Sequence, residues 1–102
     1  MTDEVDAERL RGLTGLAIEA LEAYGGGLRA LGPLVDSIKV ALRSAEGFVS
    51  GSWFEAQTRL WGQLEIIRAL ALDEGRQQLR LDEESDARQI VASLLKAFRT
   101  LA

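Results

Sequence analysis

The chain has 102 residues and a net charge of −4, which allows one modest core and argues against phosphate backbones or anionic membranes as partners. It contains no Cys and no His, so thiolate nucleophiles, imidazole proton shuttles and the usual transition-metal ligands are missing. Seventeen Leu and fourteen Ala stand against five Val and five Ile, a balance that favours helix over strand. The expectation is a single all-α domain over residues 1–102, a small up-down bundle of about four amphipathic helices. Two long glycine-broken arms completed by dimerisation are the alternative.

The first helix is predicted from about Ala7 to Tyr24. Leu10, Leu13, Ala17, Ala20, Leu21 and Tyr24 share one stripe, with Glu8, Glu19 and Glu22 opposite. Gly12 and Gly15 fall on the outward face, and Gly25-Gly26-Gly27 stops the helix.

Pro33 is placed at the first position of the second helix, where its missing N–H costs nothing. The apolar face then runs through Leu34, Val35, Ile38, Ala41, Leu42, Ala45, Phe48 and Val49.

Ser52-Trp53-Phe54-Glu55 reads as a capping box that opens the third helix. Trp53, Ala56, Leu60, Leu64, Ile67 and Ala71 form its stripe, Phe54, Trp61, Leu72 and Leu79 lie on the flank, and Ile66 with Leu70 carries apolar surface further round. A helix this broadly apolar is either central to the core or partly covered by another chain. Its end is predicted near Leu72, or near Leu81 with Gly75 inside.

The fourth helix opens on Asp82-Glu83-Glu84 and closes with Lys96 and Arg99, both complementing the helix dipole. Its stripe is Ala87, Ile90, Val91, Leu94, Phe98 and Leu101.

No motif carries chemistry. The glycine run followed by Arg29 lacks the Gly-Lys-Ser/Thr ending of a phosphate loop, and Asp82, Glu83, Glu84 and Asp86 lack the spacing of a calcium loop. Ser52 and Ser93 have no His to activate them. The expectation is therefore a protein that is not an enzyme and uses no metal or cofactor. The N-terminus is acidic rather than basic-then-apolar, and the longest apolar run is the four residues Ala69–Leu72, so neither a signal peptide nor a bilayer span is predicted. Cytoplasmic location is expected, with export without a cleaved signal as the alternative.

Trp53 and Trp61 differ by about 80° around a helix, so one can face the bundle while the other reaches its edge. Trp53 is expected in the core. Trp61, Phe54, Leu72 and Leu79 are the candidate partner-binding residues.

Gly51-Ser52-Trp53 resembles the small WXG-type proteins of type VII secretion, helical hairpins of about this length with a mid-chain Trp-x-Gly turn. The resemblance implies pairing as dimers and export without a cleaved signal. The chain departs from that pattern in having Glu55 two places after Trp53 and Gln63 two places after Trp61, and Tyr24 is its only tyrosine.

The leading functional expectation is a non-enzymatic helical interaction module that binds itself or another protein as homodimer, adaptor or small chaperone-like partner. A signal-less secreted WXG-type protein is the first alternative. A bundle binding a small apolar ligand between Trp53 and Trp61 is the second.

Overall fold

The computed structural model describes the backbone of residues 2–101 and the side chains of residues 8–101. Four helices follow one another, α1 (Thr2–Ala23), α2 (Leu28–Ala45), α3 (Gly51–Asp73) and α4 (Leu81–Leu101), with no strand among the described residues. Short connections turn each helix back beside the one before it. α1 packs on α2 and α4, α3 packs on the same two, and the backbones of neither diagonal pair come close among the described residues. This is the expected four-helix bundle, and not the two-helix hairpin that the WXG resemblance implies.

α1 begins at Thr2, earlier than its apolar stripe, because no Gly or Pro interrupts the opening residues. Its expected face is correct: Ala17 and Leu21 are buried, while Leu10, Leu13, Ala20 and Tyr24 are half-buried. Thr14 is buried as well, and its hydroxyl donates to the Leu10 carbonyl at 2.7 Å, which satisfies the one polar group on that stripe.

The start of α2 corrects the sequence reading. Pro33 is the sixth residue of the helix and not the first. Gly27, at φ 97°, makes the turn, and its N–H donates to both carboxylate oxygens of Glu84 on α4 at 3.2 and 3.0 Å. That contact lets the helix begin at Leu28, and the burial of Leu28 and Leu31 draws the extra turn onto the core. Pro33 removes one backbone donor, but Gly32 before it has no Cβ to collide with the proline ring. At the other end Phe48 and Val49 lie past Ala45, outside the helix, and Phe48 is exposed.

α3 differs from expectation at its start. Ser50, not Ser52, is the N-cap, its Oγ accepting the Trp53 N–H at 3.2 Å. The helix ends at Asp73. Gly75 takes φ 69°, the Arg76 N–H bonds to the Ala71 carbonyl at 2.9 Å, and the Gly75 N–H bonds to Leu72 at 3.0 Å. This is a Schellman cap, which settles the boundary in favour of the shorter helix.

The core belongs mainly to α2, which buries eight residues, whereas α3 buries only Gln57, Leu64 and Ala71. Those three are spaced by seven, so they form a single narrow seam. Ala56, expected on that seam, is exposed. α4 buries Ala87, Ile90, Val91, Leu94 and Phe98 as its pattern indicates.

Candidate functional site

The four candidate partner residues do not form one patch. Phe54, Trp61 and Leu72 fall on the side of α3 that faces α2, since their spacings of 7 and 11 return to nearly the same angle. Phe54 and Trp61 line a shallow groove with Leu42, Thr58 and the exposed Arg43. Leu72 stands about 16 Å further along, where Arg29, Arg68 and Arg76 surround it. Leu79 lies beyond the helix, in the segment before α4, and packs half-buried against the core.

Trp61 is half-buried, and its indole N–H donates to the Val35 carbonyl of α2 at 2.9 Å. Its body therefore tethers α3 to α2 while its edge reaches the groove. Trp53 points to the other seam, where its ring meets Phe98 of α4 edge-on with centroids 5.3 Å apart. The two tryptophans do not line a common cavity. The groove beside Trp61 measures about 230 Å³, below the range that encloses a drug-sized ligand.

The outer side of α3 is a different matter. Ile66 is 59 % exposed and Leu70 50 %, and around them stand Arg59, Gln63, Ala69 and Asp73, all exposed. Ile66 also forms the rim of an open groove between α3 and α4 with Ile67 and Ile90. This surface was legible only as apolar breadth. The heptad of Gln57, Leu64 and Ala71 that assigns it to the outside is masked by the polar identity of residue 57.

Titratable groups work on the turns. Besides capping Gly27, Glu84 accepts from the Tyr24 hydroxyl at 3.3 Å and lies 3.4 Å from the Arg88 guanidinium, which itself donates to the Gly25 carbonyl. Burial, reinforced by the Glu84 charge, pushes the Tyr24 hydroxyl up to about 12. A Cβ at Gly26 would meet the movable ends of the Glu84 and Arg88 side chains, so it is the backbone, at φ 101°, that favours glycine there.

At the other joint Arg76 pairs with Glu83 and Glu74, and Glu83 reaches back to the Arg80 N–H at 2.8 Å. This is the glutamate half of a capping box, present on α4 rather than on α3. The Arg76 hydrogen bond, followed by the Arg80 N–H, pushes the Glu83 carboxyl down from 4.5 to about 2. Because the folded value is the lower one, the contact stabilises the fold above about pH 4.5 and is lost as pH falls toward 2. Acid titration followed by circular dichroism should show this loss, and Glu83→Gln should flatten the profile in that window. An unchanged profile in the variant would contradict the assignment.

Near the start of α3, Trp53 Nε1, Gln57 Oε1 and Thr58 Oγ1 are buried with no hydrogen-bond partner among the described residues. No group of three or more acidic side chains converges to hold a metal among the described residues, and no described helix is long and apolar enough to cross a membrane. Compared with protein-family models, curated proteins and solved structures, the chain matches none.

Proposed function

We propose that the chain is a non-catalytic helical interaction module whose contact surface is the outer side of α3. One observation carries the reading. Ile66 and Leu70 expose half or more of their surface one turn apart, although the core closes through Gln57, Leu64 and Ala71 without them. The missing Cys and His agree with it. So does the allotment of buried residues, because α3, broadly apolar in sequence, fully buries three residues against eight in α2.

Two measurements on the same samples test the reading. Velocity sedimentation at micromolar concentration should show a species larger than one chain, or a hydrophobic dye should bind the exposed row. Ile66→Asp combined with Leu70→Asp should abolish whichever is seen while leaving the helical content unchanged. A wild type that stays monomeric and binds no dye would overturn it.

A further inference from the structure

The outer side of α3 is complementary to itself. Taking Ile66 as the centre, Gly62 and Leu70 lie four residues to either side, and Arg59 and Asp73 lie seven to either side. At 100° per residue all five fall within about 40° of Ile66, on one face. A helix that runs antiparallel past its own copy, with Ile66 against Ile66, therefore sets Leu70 of each chain opposite Gly62 of the other. It also sets Arg59 of each opposite Asp73 of the other, giving two opposite-charge pairs.

Nothing among the described residues uses these features. A Cβ at Gly62 would meet no atom within 4 Å, so no neighbour demands glycine there. An interior glycine nevertheless weakens a helix relative to Ala. Arg59 and Asp73 form no ion pair among the described residues. A hole, a matching knob and two unpaired opposite charges, all equidistant from one exposed isoleucine, are what a two-fold contact requires of a single surface.

We infer that the occupant of this surface is a second copy of the chain, packed with α3 antiparallel to its counterpart about a two-fold axis beside Ile66. The inference rests on the interaction-module reading and names the partner. One helix face against another buries less than a standard interface, so the dimer is a weak one, reversible on dilution.

The absence of cysteine makes the test clean. Ile66→Cys should cross-link to a dimer under mild oxidation, because a disulfide needs the two Cα atoms within about 7 Å. Leu16→Cys, equally exposed but on α1, should not. In the otherwise native chain Asp73→Arg should weaken the dimer about tenfold, and adding Arg59→Asp should restore it. Gly62→Leu should weaken the dimer while leaving the monomer folded. In a parallel pair the charge swap would restore nothing.

Dimers that fail to cross-link at position 66, or that cross-link equally at position 16, would overturn this pairing and leave the module reading standing. A chain that stays monomeric but binds dye would overturn the second copy as occupant. Monomer without dye binding would remove both.

Discussion

Phe98→Ala should lower the unfolding free energy by about 3–5 kcal/mol, the scale for truncating a buried aromatic. Phe98 is 1 % exposed and is among the largest fully buried side chains. Its edge-on contact with Trp53 adds about 0.5–1.5 kcal/mol beyond the area it buries. Against a total of about 5–15 kcal/mol for a domain, this single change removes roughly a fifth or more. It also separates α4 from the start of α3, so both helices should loosen together. Urea denaturation followed by circular dichroism reads the effect. A loss below about 1 kcal/mol would mean that the α3–α4 seam is not packed as described.

Trp61→Ala should cost about 2–3 kcal/mol, less than a fully buried aromatic because the ring is half-exposed. The loss has two parts that substitution can separate. Trp61→Phe keeps most of the packing and removes the hydrogen bond to Val35, and should cost about 1 kcal/mol. Trp53→Phe is the contrasting case. Its indole N–H is buried without a partner among the described residues, so removing it should be neutral or stabilising. Both tryptophans are half-buried, but only one uses its nitrogen. Measured at several protein concentrations, the Trp61→Ala loss should stay constant, since the residue binds α2 of its own chain. A loss that grows as concentration rises would instead place Trp61 in an interface between chains.

The sequence makes the four helices legible because each carries its own period and its own breaker. Gly26, Gly27 and Gly75 end α1 and α3 with positive φ, and the acidic run at Asp82 starts α4. What it hides are contacts between segments distant in the chain. Glu84 caps α2 from 57 residues away, so no local pattern around Gly27 moves the helix start from Pro33 back to Leu28. Ser50 and Ser52 are both plausible caps by residue type. The choice falls to Ser50 because its backbone is extended at ψ 148°, while Ser52 is already helical.

The candidate site was legible in the same partial way. Large apolar side chains on α3 outnumber the positions a single seam can bury, and that surplus is visible in the residues. Which of them face outward depends on a seam that includes a glutamine. Trp61 and Phe54, the larger and more conspicuous side chains, pack toward α2, while Ile66 and Leu70 take the outside.

The most direct test of the account is equilibrium urea unfolding of the wild type and of the Ile66→Asp, Leu70→Asp double variant, each over a wide range of protein concentration. The account predicts a wild-type midpoint that rises with concentration, because association stabilises the folded chain. The double variant should show a cooperative transition whose midpoint does not move, close to the wild-type value at high dilution, because exposed positions contribute little to the fold. A wild-type midpoint indifferent to concentration, together with a variant destabilised by about 2 kcal/mol or more, would place Ile66 and Leu70 in the core and contradict the account.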